Sequence, residues 1–235
     1  MPDTPVSPLF DQLLDSLIDQ GWAVSDHLLL PTEVERFRRN LRRRLQLGSF
    51  RDAAVGRAAS RARVQAIRGD RICWLNPKAR RGMEAAWQER IEQLRLSLNQ
   101  ALMLGIRHWE GHYAVYPPGA RYARHVDRFR DDDARVLSTV LYLNSRWRPE
   151  YGGQLRLYPE GKSAVDLYPS PGRFVCFLSD RLPHEVIETR RERLSVVGWF
   201  RRDSSRLHGL TASRNQVGKG RPFSCRKSGL NSLAR

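Results

Sequence analysis

Hydrophobic side chains recur at two different periods, and the change of period divides this chain into two parts. In the first part, apolar residues return every three to four positions over 6–20, Pro31–Leu45 and 82–104, which predicts three amphipathic helices. In the second part, short apolar or alternating runs are separated by Gly and Pro, as is typical of strands. The predicted strands are 111–116, 121–127, 136–143, 153–158, 163–168, 173–178, 184–188 and 193–201.

Shorter features lie between the predicted helices. Trp22–Val24 predicts a strand after the first helix, and residues 48–66, which are rich in Gly, Ala and Arg without a clear period, predict a loop. Ala66–Ile67 and Ile72–Leu75 predict two further short strands, with a turn at Arg68–Arg71 between them.

About eight short strands with Gly and Pro turns favour a sandwich or a barrel. We therefore predict a mixed α/β fold that is mainly β. Its parts are helical support with short strands over 1–105, a β core over 106–203 and a basic, disordered tail over 204–235. A chain of 235 residues can bury one good core, so these parts should form one compact domain.

The charge is unusually basic, at +16. Half of it lies in residues 201–235, which hold nine Lys or Arg and one Asp. Arg38, Arg39, Arg42 and Arg43 add a basic face to the second helix, which we interpret as a solvated surface. A basic excess suits nucleic acid, a ribosome, an anionic membrane or an acidic protein, and alone it does not choose among them.

The cysteines, the apolar runs and the first residues indicate the cellular compartment. The three Cys are widely spaced and form neither a disulfide framework nor a zinc pattern. No apolar run reaches the roughly 18 residues that a membrane span needs, and the first residues do not resemble a secretory signal. We expect a cytoplasmic protein without a membrane partner.

His125 and Asp127 are the first candidate metal ligands. On a strand, positions i and i+2 share a face, so both side chains can reach one ion. His184, at the start of another predicted strand, is the best candidate for a third ligand. Two His and one carboxylate on one face of an ion form the facial triad of non-haem Fe(II) oxygenases. This pattern alone is common, and a single His is more often an ordinary surface or core residue.

Arg193 strengthens the interpretation. It lies nine residues after His184 and opens the apolar run Leu194–Phe200. A buried Arg on such a strand is unfavourable without an anionic partner. A dicarboxylate could supply that partner by pairing with the guanidinium group through two hydrogen bonds.

With these residues in view, the chain resembles the 2-oxoglutarate- and Fe(II)-dependent prolyl hydroxylases. It is most similar to the Egl-nine type, the hypoxia-factor prolyl hydroxylases, and to their bacterial relatives. The similar stretches are Tyr116–Asp127, Leu141–Asn144 with Trp147, Gly152–Gly161, Ser179–Val186 and, upstream, Arg68–Trp74.

The resemblance implies a double-stranded β-helix, a variant of the jelly roll, backed by the N-terminal helices. It implies Fe(II) held by His125, Asp127 and His184, with 2-oxoglutarate and O2 as cosubstrates and ascorbate as a further requirement. Six side chains receive other roles. Those implied for the 2-oxoglutarate pocket are Arg193, Tyr142 and Tyr116, and those implied for substrate binding are Asp70, Arg135 and Trp199.

The substrate implied by the resemblance is a prolyl residue of a protein, oxidised at C4 while 2-oxoglutarate becomes succinate and CO2. Bacterial relatives suggest a translation protein, elongation factor Tu, and a basic surface would suit an acidic partner. In the resembled family the region around Asp70 closes over the peptide, and we expect Asp70 to pair there with Arg135.

Three alternatives stay open from the sequence. The first is a 2-oxoglutarate oxygenase that acts on another side chain, a small metabolite or a nucleic acid. Nucleic acid is not favoured, because we identify no aromatic set that would hold a flipped base. The second is a non-catalytic basic binding module. The third is a cupin-like zinc or manganese protein, which would leave Arg193 and Tyr142 unexplained.

Overall fold

The computed structural model describes residues 8–53, 67–127 and 134–203. All of them fall within one compact unit, Met1–Ser205. The predicted tail 204–235 and most of the predicted loop 48–66 lie outside the described residues. The proposed boundary between residues 105 and 106 stays a prediction.

The three predicted helices form as α1 Pro8–Gln20, α2 Pro31–Gln46 and α3 Gly82–Leu102. Helix α2 begins where Pro31 presets a helical φ and the Glu33 carboxylate accepts the Leu30 backbone N–H at 2.8 Å. Each helix buries its apolar stripe against one face of a sheet. Among the described helices, none combines the length and the apolar character that crossing a membrane demands.

Eleven strands form two antiparallel sheets among the described residues. The larger sheet has the order β1-β9-β6-β11-β4-β3-β2, and the smaller sheet has the order β5-β10-β7-β8. The strands are β1 Trp22–Ser25, β2 Arg51–Asp52, β3 Arg71–Trp74, β4 His108–Tyr116, β5 Tyr122–His125, β6 Arg135–Tyr142, β7 Leu155–Leu157, β8 Val165–Leu167, β9 Phe174–Leu178, β10 His184–Val186 and β11 Arg193–Arg201.

Each face of the larger sheet is covered by a different layer. One face packs against the helices through a core that includes Phe37, Trp87 and Phe174. The other face packs against the smaller sheet, where Tyr142 and Phe177 meet Leu157. The molecule is therefore a β-sandwich with helices on one side, and the space between the sheets is where strand residues of both can meet.

All eight strands predicted over 111–201 form, and one prediction upstream was wrong. The predicted strand Ala66–Ile67 falls partly outside the described residues; Ile67 itself lies in a turn, and Arg68 after it forms an isolated bridge with Tyr122. Arg51–Asp52, inside the predicted loop, forms β2. Both residues of β2 are exposed, so their sequence shows no alternating pattern. The strand forms because it pairs with the edge of β3.

A glycine pair sets the close approach of β4 and β11. Gly111 lies directly opposite Gly198, and the Trp109 indole covers both, so that a Cβ added at either would come within 2.2 Å of the ring. The indole Nε1–H donates to Thr139 Oγ1 at 3.0 Å, which ties β4 to β6 across β11. This register also places Arg193 opposite Tyr116 on the other face.

Candidate active site

His125, Asp127 and His184 meet where two strands of the smaller sheet pair. The β5–β10 register places His184 directly opposite His125, and Asp127 follows two residues after β5 ends. One ligand atom from each of the three lies within 4.8 Å of the others. The nearest pairs are His125 Nε2 to Asp127 Oδ1 at 3.4 Å and His184 Nε2 to Asp127 Oδ2 at 3.8 Å.

Both imidazoles are oriented by backbone carbonyls. His125 Nδ1 lies 2.8 Å from the Ala123 oxygen, and His184 Nδ1 lies 3.0 Å from the Leu182 oxygen. A carbonyl only accepts, so each Nδ1–H donates to its carbonyl and each Nε2 is turned toward Asp127. The Tyr122 ring also stacks on His125 at 3.7 Å between centroids. These contacts preset both rings for binding a cation.

The Asp127 carboxylate is held from behind by two donors. Trp199 Nε1–H donates to Oδ2 at 2.9 Å, and Ser138 Oγ–H donates to the same oxygen at 2.6 Å. The Ser138 hydroxyl also lies 2.8 Å from Ser179 Oγ. Because both donors engage Oδ2, Oδ1 remains for a metal ion.

The protonation states suit metal binding. Burial raises the pKa of Asp127, but the neighbouring His184 and His125 rings and the Arg135 guanidinium outweigh it, so the net pKa is lowered. Burial lowers the pKa of His184, against the opposing pull of Asp127. An ionised carboxylate and a neutral imidazole are the forms that bind metals. Two imidazole nitrogens and one carboxylate oxygen thus fit an Fe(II) ion with open positions.

Arg193 is buried, and its hydrogen-bond partners among the described residues are neutral. Its Nε–H donates to the Gly153 carbonyl at 2.8 Å, and its terminal nitrogens reach Ser195 Oγ at 3.4 Å and the Tyr142 hydroxyl at 3.3 Å. The Tyr142 and Tyr116 rings lie 4.8 and 5.0 Å from the guanidinium carbon. Within the described ranges, none of these hydrogen-bond partners is anionic.

A buried cation without a counter-ion points to an anionic ligand. Burial raises the pKa of Tyr142 although Arg193 opposes it, so the phenol stays protonated. Because this hydroxyl accepts a hydrogen bond from Arg193, its own proton remains for donation to a carboxylate. The pocket therefore offers a charged fork and a hydroxyl, which suit one end of a dicarboxylate.

The turn that carries the Gly153 carbonyl requires glycine. Gly152 and Gly153 have φ of 64° and 68°, in the left-handed region that other residues avoid. A Cβ at Gly152 would also lie 2.3 Å from the Glu188 carbonyl oxygen. The turn thus packs closely against the backbone at Glu188, and this places the Gly153 carbonyl against Arg193.

The structure pairs Asp70 differently from our prediction. Both Asp70 oxygens accept from Arg68, at 2.6 and 3.0 Å, so the predicted pair with Arg135 was wrong. Arg135 lies 3.8 Å above the Trp199 ring and donates to the Asp127 backbone oxygen at 3.0 Å. The competing guanidinium is only two residues from Asp70 in the chain and therefore reaches it at little entropic cost. The predicted substrate contacts of Asp70, Arg135 and Trp199 stay predictions.

Sequence reasoning missed several residues around this site. Ser138 could have been found, since it shares a strand face with Tyr142 and strand parity was available. Ser179 and Arg68 carry no comparable signal, because their contacts with Ser138 and Asp70 arise only from the fold.

Trp199→Phe is expected to weaken Fe(II) binding by about 10–100-fold, the usual effect of losing a group that orients a metal ligand. The change removes the indole N–H from Asp127 Oδ2 and keeps an aromatic ring. Anaerobic calorimetric titration with Fe(II) measures the affinity. Trp109→Phe is the matched control, because that indole donates to Thr139 on the helix-facing side of the sheet. Equal affinities in the two variants would contradict the orienting role.

Comparison with known proteins places this site in one family. The matching family model is the 2OG-Fe(II) oxygenase superfamily, over residues 111–201. A curated relative from Caenorhabditis elegans, a hypoxia-inducible factor prolyl hydroxylase, is 31% identical over 215 residues, which are 87% of this chain. The chain spans 30% of that relative's length.

Two solved structures are matched over most of their own length. A prolyl-4-hydroxylase from Pseudomonas putida is 41% identical, with a TM-score of 0.75 over 82% of this chain and 98% of that one. A prolyl hydroxylase from Trichoplax adhaerens, solved with a peptide fragment of the hypoxia inducible factor oxygen degradation domain, is 31% identical. Its TM-score is 0.71 over 82% of this chain and 89% of that one. The predicted double-stranded β-helix is thereby confirmed.

Proposed function

This chain belongs to the 2OG-Fe(II) oxygenase superfamily, and we propose that it is a 2-oxoglutarate-dependent dioxygenase that hydroxylates a prolyl residue of a protein. One observation supports this most directly. The buried Arg193, whose partners in the described part of the chain are neutral, faces the same inter-sheet space as the group formed by His125, Asp127 and His184. A metal site alone would not need the guanidinium, and an anion site alone would not need three converging ligands.

Each side chain has a defined task in this proposal. His125, Asp127 and His184 would hold Fe(II) from one side, and Trp199 and Ser138 would keep the carboxylate turned toward it. Because His125 and His184 lie on the smaller sheet and Arg193 lies on the larger one, we expect a bound dicarboxylate to extend from the metal to the guanidinium.

The carboxylate at the far end of 2-oxoglutarate would be bound by Arg193 and Tyr142, and Tyr116 would line the same pocket. When bound, Fe(II) supplies the redox chemistry: O2 converts 2-oxoglutarate to succinate and CO2, and one oxygen atom enters a substrate C–H bond. Ascorbate belongs to the proposal as the reductant that keeps the iron ferrous.

The substrate is proposed from the relatives. The C. elegans and T. adhaerens proteins are named as prolyl hydroxylases, and the second was solved with a peptide. We propose C4 of a prolyl residue as the target and a translation factor, elongation factor Tu, as the protein that carries it, with the cytoplasm as the location. The exposed basic residues of α2, such as Arg39, would favour encounter with an acidic partner.

The test measures succinate release by Fe(II)-loaded protein with 2-oxoglutarate and ascorbate, with and without a proline-containing fragment of elongation factor Tu. We expect succinate to rise with the fragment and the fragment to gain one oxygen atom on proline, and both changes to vanish in His125→Ala. Succinate release without oxidation of the fragment would keep the oxygenase and reject that substrate. Failure to bind 2-oxoglutarate would contradict the proposal as a whole.

A further inference from the structure

His112 is a buried imidazole for which the site described so far has no use. It lies on β4 and is 1% exposed. Within the part of the chain that the structure describes, neither ring nitrogen meets a hydrogen-bond partner. Buried polar groups are nearly always paired, so an unpaired one requires an explanation.

The position of His112 in the sandwich suggests that explanation. It pairs with Val197 across β4 and β11 and lies on the same strand face as Tyr116, which is four residues further along. His112 therefore faces the space between the sheets, the side of the metal ligands and Arg193. The group of candidate metal ligands in the described residues does not include it.

Two tryptophans bracket the imidazole. The Trp199 ring lies 5.5 Å away, and its Nε1–H donates to Asp127. The Trp74 ring lies 5.0 Å away at a steep angle and is 41% exposed. His112 thus lies between Trp74, which is partly exposed, and Trp199, which contacts the candidate metal ligand Asp127.

The imidazole is neutral in this setting. Burial lowers the pKa of His112 to about 3, and the Arg68 guanidinium contributes in the same direction. A neutral imidazole carries one N–H donor and one acceptor nitrogen. A prolyl residue offers carbonyl acceptors on both sides and no N–H of its own. The imidazole N–H is therefore the group that can pair with the peptide carbonyls beside a prolyl residue.

We propose that His112 is a specificity-determining residue whose imidazole N–H donates to a main-chain carbonyl of the peptide beside the target residue. This inference rests on the proposed function, because it needs a peptide in the pocket. This role explains why His112 keeps a buried, unpaired imidazole at a position where an apolar side chain would pack without a cost in stability. A purely structural histidine would have a protein partner for at least one nitrogen.

The experiment compares His112→Leu, which removes both polar atoms, with His112→Gln, which restores an N–H donor. His108→Leu is the matched control on the same strand, because His108 is exposed. The substrate is a set of short blocked peptides with a fixed central proline and random flanking residues. Succinate release gives kcat and KM, and thermal unfolding is followed for each purified variant.

We expect His112→Leu to raise the peptide KM about tenfold, as loss of one hydrogen bond predicts, with a much smaller change in kcat. His112→Gln should recover most of the peptide KM, and His108→Leu should match the wild type. His112→Leu should also unfold at the same or a higher temperature, because it removes an unpaired buried polar group.

An unchanged peptide KM in His112→Leu would overturn the proposal, and so would a lowered unfolding temperature without any KM effect. Both results would leave the proposed function intact, since the wild-type protein would still oxidise the peptides. If the wild-type protein oxidises none of them, the proposed prolyl hydroxylation fails, and the inference fails with it.

Discussion

Replacing Arg193 by Met is expected to raise the dissociation constant for 2-oxoglutarate by roughly 30- to 4,000-fold. Truncating one partner of a buried, hydrogen-bonded ion pair removes about 2–5 kcal/mol of binding free energy, and each 1.4 kcal/mol is about a tenfold change. Met preserves the length and apolar stem of the side chain but neither the charge nor the donors. The Tyr142 hydroxyl alone would then hold the far carboxylate.

Two further variants separate charge from geometry. Arg193→Lys keeps the charge but loses the planar fork and the Nε–H bond to Gly153, so we expect an intermediate loss. Arg156→Met is the matched control, because Arg156 pairs with Asp166 on the smaller sheet and should not affect cosubstrate binding.

Binding can be measured without turnover. Anaerobic calorimetry with Fe(II)-loaded protein gives the 2-oxoglutarate affinity, and the upward shift in unfolding temperature on adding 2-oxoglutarate provides a second readout. The variant should remain folded, because Arg193 leaves no carboxylate behind when it is removed. An Arg193→Met protein that binds 2-oxoglutarate as the wild type does would contradict the anion pocket.

Asp127→Asn is expected to reduce Fe(II) affinity by more than the roughly 10–100-fold typical of changes behind a ligand, because it alters a ligand itself. The amide oxygen can still accept from Trp199 and Ser138, so the local structure should survive. The negative charge is lost, and with it the principal attraction for a divalent cation. Peptide oxidation should fall with metal occupancy.

Anaerobic titration with Fe(II), and with Mn(II) as an ion that air does not oxidise, measures this effect. Asp166→Asn provides the matched control, since that carboxylate binds Arg156 outside the site. Near-normal Fe(II) affinity in Asp127→Asn would show that Asp127 is not a ligand. A large loss of unfolding free energy without added metal would instead indicate that Asp127 mainly stabilises the fold.

Much of the fold followed from local patterns. Side-chain alternation located all eight strands over 111–201, and the helical period located α2 and α3 to within two residues. Strand parity correctly placed Arg193 and Trp199 on one face of β11. These features depend on residues that are close together in the chain, because the repeat of a helix or strand fixes which of their side chains share a face.

The features that the sequence analysis missed share a cause, which is that each depends on contacts made only in the folded protein. Strand β2 has no pattern of its own and exists by pairing with β3. The sequence analysis paired Asp70 with Arg135, and only the fold determined that Arg68 reaches it. Likewise, no local signal indicated that His112 would be buried between Trp74 and Trp199.

The sequence by itself determined the secondary structure of the β core and the residue types able to bind a metal and an anion. The tertiary structure alone decided which of them meet: the β5–β10 register sets His184 against His125, and sheet packing turns Trp199 and Ser138 onto Asp127. Periodicity is a property of consecutive residues, and the sequence displays it directly. A contact such as that of Trp199 with Asp127, 72 residues apart, depends on strand order and on competition between partners, which are settled only when the whole core packs.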